Sequence, residues 1–501
     1  MNKIEALKAE RDGLAVAEDL ARFAREGWRT IADDDKERLK WLGVFHRRPT
    51  PGHFMMRIRM PNGILTAAQA RLLGEITQRS GKNVADVTTR QQLQLRWVTI
   101  EGVPEILARL EAAGLSSLQT GMDNVRGVVG CPATGLTARE LFDTAPIARD
   151  FQRIFLGNRE FTNLPRKFNV TITGCPDHCT TGETQDVSMT PARAEPDGVE
   201  VAGLNVAVGG KQGSGGPVFA ASLDAFVLPA EAAEVCAAIA LLFRDHGPRE
   251  SRSRARLAFL VEAWGAERFR KELEVRLGRP LPPAGRDARG ARTTEHVGIF
   301  RQREPGLNYV GLKTPAGRVS GEQLLELARL SERYGRGELR LTPSQNVLLP
   351  HVPDRLLGDL TQEPLLRELP YNPSEVQRGL VACTGTDFCN LALIDTKTRA
   401  MAFAREFEQR WGRTRPLTVR WSGCPASCGN HHTADVGLQG CKVKVDGRIV
   451  DGVHVFVGGR GGAAPRAAMK ILEDVPCDEL PAVLERLLRF FPRPERKEEE
   501  T

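Results

Sequence analysis

Phe54-Met-Met-Arg-Ile-Arg-Met-Pro-Asn-Gly63 and Asn308-Tyr-Val-Gly-Leu-Lys-Thr-Pro-Ala-Gly317 are two versions of one unit, with Pro61 over Pro315 and Gly63 over Gly317 at an offset of 254 residues. Each version begins as a β-rich run, turns at Pro-x-Gly, and enters an apolar-periodic helix capped by Thr66 in one copy and Ser320 in the other. The same offset, without a gap, lays Val87-Thr-Thr-Arg-Gln-Gln-Leu-Gln-Leu95 on Leu341-Thr-Pro-Ser-Gln-Asn-Val-Leu-Leu349. Two motifs at one offset identify an internal duplication. Strand, turn, helix, strand is α+β grammar, so the fold class is α+β built on a pseudo-twofold repeat.

Working outward, Thr173-Gly-Cys-Pro-Asp-His-Cys179 echoes Ser422-Gly-Cys-Pro-Ala-Ser-Cys428 at an offset of 249. Each follows a β-branched run, Asn169 to Ile172 or Leu417 to Trp421, and each copy later reaches a Val-rich strand ending in glycines, at Gly209-Gly210 and Gly458-Gly459. Between the copies, Arg279 to Arg292 is rich in Pro, Gly and Arg with no apolar period, which reads as a linker. Amphipathic helical stretches at 229–244 and 252–277 belong to the first half. The expected division is a charged, mostly helical lead-in over 1–45, half-domains at 46–120 and 295–370, larger α/β domains at 121–278 and 371–491, the linker at 279–294, and a charged tail at 492–501.

The duplication accounts for a length of 501 residues, which exceeds one ordinary core. With 41% hydrophobic and 27% charged residues and a mean hydropathy of −0.30, the chain reads as globular, and no run approaches a membrane span. The first twenty residues carry charge throughout and lack the apolar stretch of a secretion signal, so a cytoplasmic protein with no membrane partner is expected. Seventy Lys and Arg against 63 Asp and Glu leave a net charge of +7. That excess is mild and scattered: it argues against nucleic acid and suits anionic ligands or an acidic protein partner. Ten cysteines in such a chain read as thiols, metal ligands or catalysts before disulfides.

The second half carries Cys383-Thr-Gly-Thr-Asp-Phe-Cys389 and Cys424-Pro-Ala-Ser-Cys428. Four soft thiolates suit an iron-sulfur cluster or a structural zinc ion. Five residues between Cys383 and Cys389 make a loose zinc knuckle, which favours iron-sulfur. The Gly and Pro beside each pair shape tight loops whose N–H groups face the sulfurs.

These four cysteines, the tandem Pro-x-Gly units, Ala85-Asp-Val-Thr-Thr-Arg-Gln91 and Asn163-Leu-Pro-Arg-Lys-Phe168 together resemble the sirohaem-dependent nitrite and sulfite reductase family, and within it the ferredoxin-dependent nitrite reductases, from Phe45 to Phe491. The resemblance implies two ferredoxin-like half-domains and two larger α/β domains enclosing a sirohaem joined to a 4Fe-4S cluster. It implies that Cys383, Cys389, Cys424 and Cys428 bind the cluster, with Cys428 also the axial ligand of the sirohaem iron. It puts Arg90 and Arg166 over the open haem face, where a guanidinium fork grips an oxyanion. The repeat agrees on one point, because Arg90 aligns with Ser344 and only one copy holds the cation. The family's further polar residues would lie on Lys211-Gln212-Gly213-Ser214-Gly215-Gly216-Pro217, where Gly215 and Pro217 stand in their register and Lys211 or Gln212 is left to reach the site. Sirohaem carries eight carboxylates, for which Arg57, Gln92, Arg126, Asn346 and Arg460 are the candidate partners.

The activity implied is six-electron reduction of nitrite to ammonium by a monomer served by reduced ferredoxin or a similar acidic carrier. The alternatives are sulfite reduction with the same cofactors, a cobalamin-pathway relative, or a non-catalytic iron-sulfur protein. No nicotinamide or flavin module is evident, and the glycines at 458–462 lack the Gly-Lys-Ser/Thr of a phosphate loop. Cys131, Cys175 and Cys179 mimic the cluster positions without a counterpart of Cys389 and read as buried relics, ahead of a second metal site. Cys236, Cys441 and Cys477 read as singletons. His431 and His432, being adjacent, are expected to point apart on a solvated loop or in a proton relay.

Overall fold

The computed structural model describes residues 2–195, 198–213, 215–412 and 416–489; Ser214 and the tail expected at 492–501 lie outside the described residues. The duplicated units build two five-stranded antiparallel sheets. One runs Val44–His46, Phe54–Ile58, Leu93–Val98, Ala85–Val87 and then Arg318–Val319 from the second copy. The other runs Gly298–Arg301, Leu307–Leu312, Val347–Pro353, Glu338–Leu341 and then Ile64–Thr66 from the first copy. Each half thus lends a short strand to the other, with Arg318 opposite Asp86 and Glu338 opposite Thr66.

The Pro-x-Gly turns are the crossing points, which explains their glycines. Gly63 and Gly317 both have φ of 73°, and an added Cβ would stand 2.3 Å from the Leu341 carbonyl oxygen in one case and 2.8 Å from that of Val87 in the other. Only glycine accepts both the left-handed backbone and the close approach. Two glutamines, also 254 apart, tie the crossing: Gln91 Nε2 donates to Leu341 O at 3.0 Å and Gln345 Nε2 to Val87 O at 3.1 Å. The helices Ala67–Ser80 and Gly321–Tyr334 each start with a reciprocal cap, Thr66 with Gln69 and Ser320 with Gln323, and pack against one another where Gly74 meets Gly321. A single apolar core therefore runs through both half-domains, joining Val87 and Leu95 to Leu341 and Val347.

The larger domains repeat one topology. Val125–Val129, Phe168–Ile172 and Val187–Ala194 run parallel, followed antiparallel by Val201–Val208 and Ala221–Val227; Leu380–Ala382, Val419–Ser422 and Val436–Val445 run parallel, followed antiparallel by Arg448–Val457 and Met469–Pro476. Helices Ala232–His246 and Leu257–Leu277 cover the first sheet, both starting later than their expected 229 and 252 because Pro229 and Arg252–Arg254 form separate turns. Lys397–Trp411 and Leu480–Leu488 cover the second. In both domains the cysteine loops leave the carboxyl ends of parallel strands, the end at which open α/β sheets bind ligands.

The lead-in and the linker are both anchored. Phe23 and Leu39 enter the shared half-domain core, and Trp41 Nε1 donates to Thr162 O at 2.8 Å. Arg286–Asp287 pairs with Ala192 and Arg193, and His178 N donates to Arg292 O at 2.8 Å, so the Pro/Gly/Arg-rich stretch lies along the first sheet. Among the described residues no helix is long and apolar enough to cross a membrane.

Candidate functional site

Cys383, Cys389, Cys424 and Cys428 converge on one cleft of about 870 Å³, which they share with Arg47, Arg57, Arg90 and Arg96 of the first half-domain. The sulfurs sit on loops whose backbone is turned toward them: Gly423 N donates to Cys383 Sγ at 3.1 Å and Leu391 N to Cys389 Sγ at 3.5 Å. Glycine is required at these turns. Gly385 has φ of 70° and a Cβ there would meet Thr396 N at 2.6 Å, while a Cβ on Gly423 would press on Ala392 and Thr396. Cys428 is the exposed member of the four, and the other three are half-buried. Among the described residues no three of these sulfurs come within 4.8 Å of one another. A single tetrahedral ion with bonds of about 2.3 Å would hold them closer, at about 3.8 Å. Four spread thiols served by backbone N–H groups fit a multi-iron cluster instead.

The walls are cationic. Arg57 and Arg90, and Arg126 which is not among the lining residues, form no ion pair among the described residues, and Arg126 and Arg90 lower the affinity of Arg57 for its proton. Burial, then Arg166, lowers Arg126 to about 9; burial, then Arg126 and Arg90, holds Arg57 well below its ordinary value; burial lowers Arg47 to about 10. Nε of Arg90 and of Arg47 is buried without a partner. Half-buried guanidinium groups without a counter-charge are costly unless an anion joins them, so this lining fits a ligand carrying several carboxylates.

The remaining candidates take different places. Arg166 stands beside Arg252, Asp123 and Arg256, and burial lowers it to about 10. Gln92 Nε2 donates to Arg126 O at 2.8 Å and so fixes the strand carrying that arginine. Lys211 Nζ donates to Gly216 O at 3.4 Å and lies 5.6 Å over the Phe259 ring; it is not among the residues lining the cleft. Its neighbour Gln212 bridges the halves instead, donating to Thr184 Oγ1 at 3.1 Å and accepting from Ser427 Oγ at 2.7 Å. Asn346 is fully buried between Thr314 N and Glu295 O, and exposed Arg460 folds onto Ala464 O; neither lines the cleft.

His431 and His432 depart from expectation. Both are buried, with ring centroids 4.0 Å apart. Asn430, at φ of 61°, curls the turn so that the two rings face Phe456 at 5.1 and 5.2 Å, and His431 Nδ1 sits 3.2 Å from Ser427 Oγ. They are neither solvated nor divergent.

Sequence reasoning missed Arg47, Arg96 and Lys167. Burial, then the nearby cations Arg256, Arg90 and Arg126, drives the proton affinity of Lys167 far down. Its signal was available in Asn163-Leu-Pro-Arg-Lys-Phe168. Arg96 pairs with buried Asp86 at 2.6 Å and donates to Thr384 Oγ1 at 3.0 Å, tying the Cys383–Cys389 loop to the half-domain. Asp86 also meets Arg318 and Lys397, each at 3.2 Å. Burial raises its carboxyl, but Lys397, Arg96 and Arg318 win and hold it well below the ordinary range.

Comparison with known proteins agrees with this geometry. The family model "Nitrite and sulphite reductase 4Fe-4S domain" matches residues 121–281 and 375–501, and "Nitrite/Sulfite reductase ferredoxin-like half domain" matches 46–113 and 300–366. The chain belongs to the nitrite and sulphite reductase family. Within that family it is 45% identical over 496 residues to the ferredoxin–nitrite reductase of Synechococcus elongatus, covering 97% of this chain and 96% of that one. The assimilatory ferredoxin-dependent nitrite reductase of Haloferax mediterranei is 38% identical over 521 residues, covering 98% and 89%. The solved NirA protein of Mycobacterium tuberculosis superposes with a TM-score of 0.93 at 34% identity, over all of this chain and 95% of that one. The pseudo-twofold arrangement of half-domains and 4Fe-4S domains is thus the family's own.

Proposed function

We propose that this reductase takes electrons from reduced ferredoxin and converts nitrite to ammonium in the cysteine- and arginine-lined cleft. The observation that carries this reading is the union in one cleft of four loop-borne thiols with Arg47, Arg57 and Arg90, half-buried arginines that form no ion pair among the described residues. Full-length likeness to relatives named ferredoxin–nitrite reductase, in a cyanobacterium and an archaeon, supports the substrate and the donor. When bound, a 4Fe-4S cluster and a sirohaem would relay the electrons that ferredoxin supplies, six for the change of nitrogen from +3 to −3, and would provide the metal centre for the anion.

The chain's own residues do the rest. Cys383, Cys389, Cys424 and Cys428 would hold the cluster, and Cys428, the exposed one, would also serve the sirohaem. Arg57, Arg126 and Arg47 bind carboxylates of the macrocycle, with Gln92 fixing the Arg126 backbone. Arg90 and Arg166 orient the anion and favour the negative charge that develops as its oxygens leave. Lys211 has no direct role, its ammonium being turned onto its own loop. A net charge of +7 suits docking of an acidic ferredoxin to a cytoplasmic monomer. Steady-state turnover of the loaded enzyme with reduced ferredoxin tests the reading: kcat/KM for nitrite should exceed that for sulfite at least about tenfold. A preference for sulfite would overturn the substrate assignment, and protein loaded with both cofactors yet inert to both anions would overturn the activity.

A further inference from the structure

The first-half cysteines are assembled rather than scattered. Cys131 follows the strand ending at Val129, and Cys175 and Cys179 follow the strand ending at Ile172, as Cys383 and the Cys424–Cys428 pair follow their strands in the second half. The counterpart of Cys389 is missing, and a residue of another type joins the group. The linker, held by His178 N on Arg292 O and Thr294 N on His178 O, delivers His296 from the start of the second half. Ligand atoms of Cys131, Cys179 and His296 all lie within 4.8 Å of one another, and Cys131 Sγ is 3.8 Å from His296 Nε2. The Cys131 thiol also contacts Cys175.

We propose that Cys131, Cys175, Cys179 and His296 hold a structural zinc ion that staples the two halves of the chain together.

Size separates this site from the cleft. A tetrahedral zinc ion with Zn–S of about 2.3 Å and Zn–N of about 2.0–2.1 Å keeps its ligand atoms about 3.5–3.8 Å apart, a scale that Cys131, Cys179 and His296 approach and the four cleft sulfurs do not; Cys175, against Cys131 but outside that trio, is the fourth ligand the ion would draw in. Three thiolates and one imidazole are a closed structural set, with no open position for substrate. The imidazole is oriented as a ligand requires: Nδ1 meets the Tyr309 hydroxyl at 3.0 Å, leaving Nε2 to face the sulfurs. The fold also strains to bring it there. His296 has φ of 51°, and Gly311 lies so close that an added Cβ would fall 1.6 Å from the His296 carbonyl oxygen. Leu136, Tyr309 and Leu348 seal the pocket, with Phe300 packed against it. On binding, the ion displaces the thiol protons to solvent, and no electron is transferred.

The test is metal analysis and zinc-edge X-ray absorption of the cofactor-loaded enzyme from zinc-replete growth. The expected result is about one zinc per chain beside the iron, with about three sulfur neighbours near 2.3 Å and one nitrogen. Cys179→Ser and His296→Ala should each cut zinc about tenfold or more while iron content and the visible spectrum persist. Loaded enzyme with less than about 0.1 zinc per chain, extra iron in zinc's place, or zinc that survives both substitutions would overturn the proposal. Should the variants fail to fold, the absorption edge of the unaltered enzyme decides alone: an oxygen-dominated shell refutes the site. None of these readouts depends on nitrite being the substrate.

Discussion

Replacing Arg90 with alanine isolates the substrate-facing charge from the rest of the cleft. Arg90 sits in the turn at 88–92, where Thr88 Oγ1 accepts both the Arg90 and Gln92 backbone N–H groups at 3.2 and 3.1 Å. Its guanidinium forms no ion pair among the described residues, and Nε is buried without a partner. The side chain is therefore not holding the protein together. What its removal loses is a charge-assisted bond to the bound anion, worth about 1.5–3 kcal/mol in the ground state. Donors aimed at charge developing in the transition state are worth about 2.7–4 kcal/mol. We expect kcat/KM for nitrite to fall about 10²- to 10³-fold in Arg90→Ala, with Arg90→Lys recovering only part because a lysine lacks the fork. The assay is steady-state turnover with reduced ferredoxin, paired with iron content, visible spectrum and thermal transition, all of which should stay unchanged. A kcat/KM within about threefold of the parent, in fully loaded protein, would refute the reasoning.

Three further outcomes follow from the fold. Gly63→Ala should destabilise the enzyme by about 2 kcal/mol or more, because the left-handed backbone and the Leu341 carbonyl both oppose a Cβ; an unshifted thermal transition would contradict the strand exchange. Asp86→Asn leaves Arg96, Arg318 and Lys397 facing one another without their shared anion, at a cost of about 3–5 kcal/mol, and should speed iron loss to a chelator through the Thr384 contact. Lys313, buried with Nζ on Leu380 O at 2.7 Å, is lowered by burial from 10.5 to about 8. Between pH 8 and 10.5 the unfolded chain binds a proton that the folded chain does not, so this group adds stability as pH rises across that window, up to roughly 3 kcal/mol. Below pH 8 both states carry the charge and that contribution is absent. The stability advantage of Lys313→Met should therefore shrink from pH 8 to 10.5, and a constant difference in denaturant titrations would contradict the burial of this charge.

The duplication was legible because it is written locally: Pro-x-Gly, the caps at Thr66 and Ser320, and the Thr-Thr-Arg-Gln run all survive at one offset. The reciprocal exchange of Ile64–Thr66 and Arg318–Val319 was not, since a two- or three-residue strand carries no mark of which sheet it joins. The cluster loops were legible from spacing and adjacent glycines. Arg47 and Arg96 were not singled out because each owes its position to long-range packing, whereas Lys167 stood inside the Asn163–Phe168 run beside Arg166; Asn346 and Arg460 show the converse, fitting a motif in sequence while facing Thr314 and Ala464 in space. Adjacency misled at His431 and His432, where one left-handed residue, Asn430, turns both rings onto Phe456. His296 is invisible to spacing rules altogether, because it lies 117 residues from Cys179 and meets it only through the path of the linker.

The electron count is the most direct measurement of the central claim. With chemically pre-reduced ferredoxin as sole donor and nitrite limiting, this enzyme should oxidise six one-electron ferredoxins for each nitrite consumed and release one ammonium, with no nitric oxide or hydroxylamine accumulating. Fewer electrons per nitrite, or a partly reduced nitrogen product in fully loaded enzyme, would contradict it.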